Sequence, residues 1–213
     1  MTTNLIVVGA GGFGRETLDV VEAIGLTEPG RIRLLGVVDD APTDQNVGLL
    51  TARGIPLLGK LDVLMTQPQE VRYLIGIGSP PVRAAVAERL DKSQRDAFIA
   101  IHPAATVGSM SRIGPGSVIC AGAQISTNVT LGRHTHVNAG SLIGHDTRLQ
   151  DWVSINPGAV VSGDVHIGPR TLVGANATIL QGLSLARDVV VGASACVVRD
   201  VPSGVTVKGV PAR

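Results

Sequence analysis

An aliphatic residue occupies every sixth position through the second half of this chain. An α-helix repeats near 3.6 residues and a half-buried strand alternates every second residue, so a period of six fits neither. It is typical of a parallel β-helix, in which each hexapeptide supplies one short strand and one turn. The pattern therefore predicts that residues 101–213 form an all-β domain, a parallel β-helix that ends in a C-terminal extension. The series consists of Ile101, Val107, Ile113, Ile119, Ile125, Leu131, Val137, Ile143, Leu149, Ile155, Val161, Ile167, Val173, Ile179, Leu185, Val191 and Val197.

Three such hexapeptides make one triangular coil of about 18 residues, and successive coils stack about 4.8 Å apart. The aliphatic side chain of each repeat points into the prism. Seventeen repeats make nearly six coils, a rod of about 27 Å, and no insertion interrupts them. The residue four positions further on shares the narrow interior and is usually small, as at Ala105, Ser111, Ser117, Ala123, Ser141, Ala159, Ala177 and Ala195.

The first hundred residues alternate short apolar strands with helices. This β-α-β order predicts a small parallel α/β sheet of Rossmann type, whose ligand crevice lies beyond the carboxyl ends of the strands. Residues 1–100 are therefore expected to form a nucleotide-binding domain ahead of the β-helix. The predicted strands cover residues 5–8, 33–38, 71–77 and 98–101, and the predicted helices cover about 15–24 and 82–90.

A glycine-rich loop follows the first predicted strand. Residues 9–14 match G-x-G-x-x-G, and Asp39-Asp40 stand at the end of the next strand. Glycines let backbone N–H groups approach an anion at a helix N-terminus, so the loop indicates binding of a phosphate or nucleotide. One alternative is a tight turn whose glycines serve packing alone. Another is NAD(P) binding, although the α/β part ends after about half the strands of a full dinucleotide fold.

Composition narrows the class of partner. The net charge of +1 and four aromatic residues argue against nucleic-acid binding. Mean hydropathy is +0.31, but no apolar stretch approaches the 18 residues of a membrane span, and the N-terminus lacks the features of a secretion signal. Cys120 and Cys196 are isolated, without metal or redox spacing. We therefore expect a soluble, cytoplasmic protein that binds neither membrane nor nucleic acid.

The histidines are the candidate residues for chemistry. His134 and His136 share one hexapeptide and His166 lies further on, yet no third ligand stands at zinc-binding spacing, so no metal is expected. His145-Asp146 falls at a turn where side chains project outward. A neutral imidazole accepts a proton near pH 7, and an adjacent carboxylate fixes its tautomer. An exposed polar pair without a catalytic role is the alternative.

Several of these elements together resemble one family of bacterial enzymes. They are the glycine loop, Asp39-Asp40, the segment 75–78, His102-Pro103, Asn138 ahead of residues 141–146, and the ending 207–212. Over essentially its full length the chain resembles the left-handed β-helix sugar acyltransferases that N-acetylate UDP-4-amino sugars and GDP-perosamine, and the sialic-acid O-acetyltransferase-like proteins. The resemblance implies a homotrimer that uses acetyl-CoA as co-substrate, held between neighbouring β-helices, and no metal.

The resemblance also implies roles for individual residues. His145 would act as general base on the sugar amine or hydroxyl as it attacks the thioester, and Asp146 would raise its basicity. Acetyl-CoA would contact Gly174, Ala175 and Ala193. The nucleotide sugar would be held by Gly9, Gly12, Phe13, Asp39, Asp40, Arg83 and Asn138.

Two positions depart from the family pattern. Several members carry a histidine where this chain has Phe13, and the 4-amino-sugar group places a second histidine nine residues after the base, where this chain has Ser154. With about 18 residues per coil, His136 would stack directly beneath Ser154. We therefore expect His136 and Ser154 to lie near the acyl group, with His136 replacing part of the lost contact. An exposed histidine in a stacked column is the alternative.

The predicted function is acyl transfer from acetyl-CoA to the amino group of a nucleotide-linked 4-amino sugar. A sugar O-acetyltransferase is the nearest alternative. More distant ones are an NAD(P)-linked enzyme, favoured by the glycine loop and Asp39, and a non-catalytic scaffold that senses a nucleotide. Because no loop protrudes from the repeats, the acceptor pocket is expected in the N-terminal domain.

Overall fold

The computed structural model describes residues 2–213, which fall into two compact units. The first ends at Pro103, and the second runs from Ala104 to Arg213. The first is an α/β unit and the second is a left-handed parallel β-helix, so the predicted fold class is confirmed.

The α/β unit has a four-stranded parallel sheet in the order β3-β2-β1-β4. Its core is aliphatic, with Leu5, Ile6, Val7 and Leu74 fully buried. The order reverses at β1, between β2 and β4, which is where ligands bind in open α/β sheets. The elements are β1 (Thr3–Val8), α1 (Gly12–Thr27), β2 (Ile32–Val38), α2 (Asp44–Ala52), β3 (Leu57–Gly59), α3 (Leu61–Met65), β4 (Arg72–Ile75), α4 (Pro80–Asp91) and β5 (Ala100–Ile101).

Three elements of this unit, α2, β3 and α3, were not predicted. Each is too short to show a clear apolar period, since α2 buries only Leu50, β3 is a three-residue edge strand, and α3 has five residues. One local signal does mark α2, since the Thr43 hydroxyl accepts the backbone N–H of Asn46 at 3.2 Å as an N-cap. Helix α1 also begins earlier than predicted, at Gly12 rather than Arg15, so its first turn lies inside the glycine loop.

The glycines of the loop divide into two kinds. A Cβ at Gly14 would lie 2.0 Å from the Gly9 carbonyl oxygen, and one at Gly76 would lie 2.6 Å from the Gly14 Cα. These three glycines let α1 pack closely against the ends of β1 and β4. A Cβ at Gly11 or Gly12 would meet no atom within 4 Å. The alternative of a packing role therefore holds for Gly9 and Gly14. It does not hold for Gly11 and Gly12, where there is free space around the backbone.

The β-helix consists of two-residue strands on three faces. The first face contains β6, β9, β12, β15, β18 and β21, the second β7, β10, β13, β16 and β19, and the third β8, β11, β14, β17, β20 and β22. The strands are β6 (Thr106–Val107), β7 (Arg112–Ile113), β8 (Val118–Ile119), β9 (Gln124–Ile125), β10 (Thr130–Leu131), β11 (His136–Val137), β12 (Leu142–Ile143), β13 (Arg148–Leu149), β14 (Ser154–Ile155), β15 (Val160–Val161), β16 (His166–Ile167), β17 (Leu172–Val173), β18 (Thr178–Ile179), β19 (Ser184–Leu185), β20 (Val190–Val191), β21 (Cys196–Val197) and β22 (Thr206–Val207).

The six-residue period sets both the strands and the core. Every aliphatic residue of the series is the second residue of a strand, and from Ile119 to Val197 these residues are at most 3% exposed. Strands pair with those 18 residues away, as His136 does with Ser154. The predicted register is therefore confirmed.

At each corner between two faces, the chain turns at a residue in the left-handed backbone conformation. From Met110 to Ser194 every sixth residue has a positive φ, whether or not it is glycine. Asn and Asp tolerate this conformation better than most residues, and Asp146, with φ of 61°, is one of them. The turn thus places Asp146 at a corner with its side chain outside the prism.

Candidate active site

A cavity of about 220 Å³ lies at the carboxyl ends of the first unit's central strands. Gly9, Asp39 and Asp40, which the family resemblance assigns to the sugar nucleotide, line this cavity, and their contact with a nucleotide stays a prediction. The other lining residues are Val8, Ala41, Leu61, Ile77, Val82 and Val86. The cavity is smaller than the 300 to 1,000 Å³ or so typical of drug-sized ligand pockets. Its lining is mainly apolar, with two carboxylates at one side.

The two carboxylates also support the walls of this cavity. Asp39 accepts the backbone N–H of Ala10 at 2.7 Å and that of Ala41 at 2.9 Å, which ties the glycine loop to the end of β2. Asp40 accepts the backbone N–H of Leu61 and the Arg89 guanidinium, and these hydrogen bonds lower the pKa of its carboxyl. Asp40 is therefore ionised at neutral pH.

Gly12 and Phe13 lie in the first turn of α1 and are not among the residues that line this cavity. Gly12 is exposed and borders a separate, shallow depression with Arg15 and Arg53. Phe13 is half-buried, and its Cβ would be 3.8 Å from a Cβ placed on Gly78, which follows β4. Their contact with a sugar stays a prediction.

Arg83 lies in α4 and is fully buried. The sequence pattern did not predict this burial. Its guanidinium donates to the carbonyl oxygens of Ile77 at 2.7 Å and Gly78 at 3.2 Å. Burial lowers the pKa of Arg83 to about 9, so the group remains charged at neutral pH. Its observed contacts shape the loop after β4, and a direct contact with substrate stays a prediction.

His145 and Asp146 lie at the corner between the first and second faces. The imidazole Nδ1 is 2.7 Å from the Asp146 carboxylate, and the two side chains are 65% and 51% exposed. Hydrogen bonds from His145 and then from Asn128 lower the pKa of Asp146. With Asp146 ionised, Nδ1 carries the proton and Nε2 keeps its lone pair. The pair is thus arranged as a base whose free nitrogen is reached from solvent.

Asn128 and Gly163, on the two adjacent coils, touch this pair, and neither is expected from residue type alone. Asn128 Nδ2 donates to Asp146 Oδ1 at 3.2 Å from the coil before. On the coil after, a Cβ at Gly163 would lie 2.6 Å from His145 Nε2, so the ring packs flat over this glycine. The 18-residue register is the signal that finds them, because it places residues 128 and 163 next to residues 146 and 145.

The residues predicted to contact acetyl-CoA lie elsewhere on the β-helix. Gly174, Ala175 and Ala193 are at the corner between the third and first faces, and so is Asn138, whose amide donates to the Ile155 carbonyl at 2.9 Å. His145 is at the opposite edge of the first face. One chain therefore does not bring these residues together with the base.

His136 and Ser154 lie on the third face and are 0% and 1% exposed. The alternative of an exposed histidine is wrong, because the packing around β11 encloses the imidazole. Their proximity to an acyl group stays a prediction.

A larger groove of about 830 Å³ runs along the second face. Arg148, Trp152, His166 and Arg187 are among its lining residues, and Trp152 is stacked under Arg133 with 5.9 Å from guanidinium to ring centre. His145 and Asp146 do not line it.

Within residues 2–213, no group of three histidine, cysteine, aspartate or glutamate side chains is placed to hold a metal ion. The helices in this part of the chain are all too short or too polar to cross a membrane.

Comparison with known proteins finds similar sequences among bacterial sugar N-acetyltransferases. The PglD N-terminal domain matches residues 4–90. The UDP-N-acetylbacillosamine N-acetyltransferase of Bacillus subtilis (strain 168) is 33% identical over 55% of this chain and 51% of its own length. The GDP-perosamine N-acetyltransferase of Escherichia coli O157:H7 is 31% identical over 62% of this chain and 58% of its own. The chain thus matches little more than half the length of these relatives.

A solved structure is similar over nearly the whole chain. PerB from Caulobacter crescentus, in complex with CoA and GDP-perosamine, is 28% identical, with a TM-score of 0.87 over 99% of this chain and 96% of PerB. Both units are therefore shared, in the same order. In sequence and in fold the chain is similar to the left-handed β-helix sugar acyltransferases typified by the UDP-N-acetylbacillosamine and GDP-perosamine N-acetyltransferases.

Proposed function

We propose that the protein transfers an acetyl group from acetyl-CoA to the amino group of a nucleotide-linked 4-amino sugar. The observation that carries the proposal is the 2.7 Å contact of His145 Nδ1 with Asp146, which leaves Nε2 as an exposed base. The relatives that share the fold act on, or are bound to, substrates of this class.

In the proposed reaction the sugar nitrogen attacks the thioester carbonyl carbon. Nε2 of His145 takes a proton from the nitrogen as the carbon–nitrogen bond forms, and Asp146 stabilises the resulting imidazolium. Collapse of the tetrahedral intermediate breaks the carbon–sulfur bond. The imidazolium then returns its proton to the leaving thiolate, giving free CoA and the amide. The chemistry needs no metal.

The cavity beside Gly9 and Asp39 is proposed to hold part of the sugar nucleotide. Its volume of about 220 Å³ suits a base or a single sugar ring better than a whole dinucleotide. This size, and a sheet of four strands where a full dinucleotide-binding fold has six, argue against the NAD(P)-linked alternative.

A homotrimer is proposed as the working assembly. Gly174, Ala175 and Ala193 lie at a different corner from His145, so a thioester held at the former reaches the base only from a neighbouring β-helix. A closed ring of three copies supplies that neighbour at each of three equivalent sites. Because acetyl-CoA is an intracellular metabolite, the cytoplasm is the proposed compartment.

The test is thiol release from acetyl-CoA in the presence of UDP-, dTDP- and GDP-linked 4-amino sugars. We expect release with at least one amine and none with the matching 4-hydroxy sugar. Release with hydroxyl acceptors alone would favour the sugar O-acetyltransferase. An absence of release with every acceptor, together with tight binding of NADH, would overturn the proposal.

A further inference from the structure

Three side chains form a continuous hydrogen-bonded chain along one corner of the β-helix. Asn128 Nδ2 donates to Asp146 Oδ1 at 3.2 Å, and Asp146 Oδ2 lies 2.7 Å from His145 Nδ1. Each oxygen of the carboxylate therefore has its own partner. A carboxylate held at both oxygens has a fixed plane, whereas one held at a single oxygen rotates about its terminal bond.

The turn at position 128 does not by itself require asparagine. Asparagine and aspartate are common at this left-handed position, but Met110, Trp152, Ser194 and several glycines occupy it in other repeats. Met110 is the equivalent residue one coil earlier in the same column, and it is 77% exposed. The turn tolerates asparagine but does not account for the direction of its side chain, whose amide donates to Asp146 Oδ1 on the next coil.

We propose that Asn128 is a positioning residue for the reaction: its side-chain amide fixes the plane of the Asp146 carboxylate and so the direction in which His145 presents Nε2. This inference rests on the proposed function. Asn128 itself touches neither His145 nor, in the proposed geometry, the reacting atoms. Its action passes entirely through Asp146.

The negative charge of the Asp146 carboxylate supports the positioning role proposed for Asn128. The bond from Asn128 is the second-largest cause of the lowered pKa of Asp146, after the bond from His145. An amide donor keeps the carboxylate ionised without adding a charge that competes with the imidazolium. Asp164 is at the stacked position one coil after Asp146, with its backbone N–H donating to the His145 carbonyl oxygen at 2.8 Å, and Arg148 begins β13 two residues after Asp146.

The decisive variant is Asn128→Gly, which keeps the left-handed turn and removes the amide. We expect kcat to fall by about 10- to 100-fold, because a base that points in the wrong direction accepts the proton more slowly. The contacts that bind the substrates are unchanged by this substitution. KM for acetyl-CoA and for the acceptor should stay within about twofold. The Asp146 carboxyl, followed by carbon NMR against pH, should titrate at a higher pH than in the wild type.

Asn128→Asp provides a second, nearly isosteric variant. It replaces the donor by a carboxylate that repels Asp146 and adds a negative charge near the imidazolium. We expect the acid limb of the kcat/KM profile to move to higher pH, which a merely structural role of Asn128 would not cause. The matched control is Met110→Gly, a change at the equivalent turn one coil away, which should leave both rate and Asp146 titration as in the wild type.

The outcomes separate this inference from the proposed function. An active wild type whose kcat and Asp146 titration are unchanged in Asn128→Gly overturns the inference alone. Loss of rate in Met110→Gly equal to that in Asn128→Gly also overturns it, because the turn would then be the cause. A wild type that releases no thiol with any acceptor overturns the proposed function, and the positioning role with it.

Discussion

His145 Nδ1 and Asp146 Oδ2 are 2.7 Å apart although the two residues are adjacent in sequence and exposed. Neighbouring side chains in a strand point to opposite faces and do not meet in this way. Here the left-handed turn at Asp146 brings its carboxylate back against the preceding imidazole. The pair therefore depends on the corner of the β-helix and not on a buried pocket.

Replacing Asp146 with asparagine should lower kcat about 100-fold with little change in KM. The amide keeps the size of the side chain but no longer stabilises the imidazolium. Without that stabilisation the base loses its proton more readily, so the acid limb of the kcat/KM profile should move to lower pH. Steady-state rates of thiol release between about pH 5 and 9 check both effects. A profile that keeps its wild-type position would show that Asp146 does not act on His145.

A methyl group at Gly163 should displace the imidazole of His145. A Cβ at that position would lie 2.6 Å from Nε2, and the backbone there is not left-handed, so alanine is strained only by the ring. We expect Gly163→Ala to lose at least about 100-fold in kcat while the protein stays folded. Circular dichroism and thiol release measured on the same preparation test this. Full activity would mean that the ring does not need its observed position.

The glycine loop offers a matched pair of substitutions. Gly14→Ala places a Cβ 2.0 Å from the Gly9 carbonyl oxygen, whereas Gly11→Ala meets no atom within 4 Å. Alanine favours a helix over glycine, so a loss of stability at position 14 must come from the contact. We expect the free energy of unfolding to fall by about 2 kcal/mol or more in Gly14→Ala and by less than about 0.5 kcal/mol in Gly11→Ala. Urea unfolding measures both, and equal values would contradict the close packing of α1.

The ion pair of Arg170 with Asp188 should make the stability of the β-helix depend on pH. Two hydrogen bonds from the guanidinium, at 2.7 and 2.8 Å, lower the pKa of Asp188 below its usual value near 3.8. The unfolded chain then binds the proton more tightly, so this contribution is present above about pH 4 and is lost as pH falls through the lowered pKa.

Asp188→Asn should therefore destabilise the protein at pH 7 and not at pH 2.5. The side chains are 30% and 38% exposed, so solvent screens the pair and the expected loss is only about 0.5 kcal/mol. Urea midpoints of the wild type and the variant at the two pH values provide the measurement. A difference of the same size at both would assign the effect to packing rather than charge.

The β-helix was predictable because its rule is local. Each aliphatic residue fills its own layer of a narrow interior, so the period of six determines strand, face and register without long-range information. The α/β unit obeys no such rule. The elements α2, β3 and α3 are nine, three and five residues long, too short to show the apolar period by which longer elements are recognised.

The site was predictable in its residues and less so in its environment. Residue type and turn position identified His145 and Asp146. The burial of Arg83 and His136 could not be foreseen, because charged and polar side chains are usually exposed and enclosure depends on packing between elements distant in sequence. Asn128 could have been found by counting one coil back from Asp146.

The stacking of equivalent positions has a consequence for how this protein tolerates insertions and deletions. The contacts of the base come from residues 18 positions before Asp146 and 18 positions after His145. Loss of a single residue between Asn128 and His145 would put a different side chain against the carboxylate and shift every later aliphatic residue out of the prism. Insertion of one whole coil would preserve every face and corner, yet it would separate Asn128 from Asp146. The fold of this β-helix therefore tolerates changes in length only by whole coils. Between Asn128 and Asp146 even a whole coil would disrupt the contacts of the base.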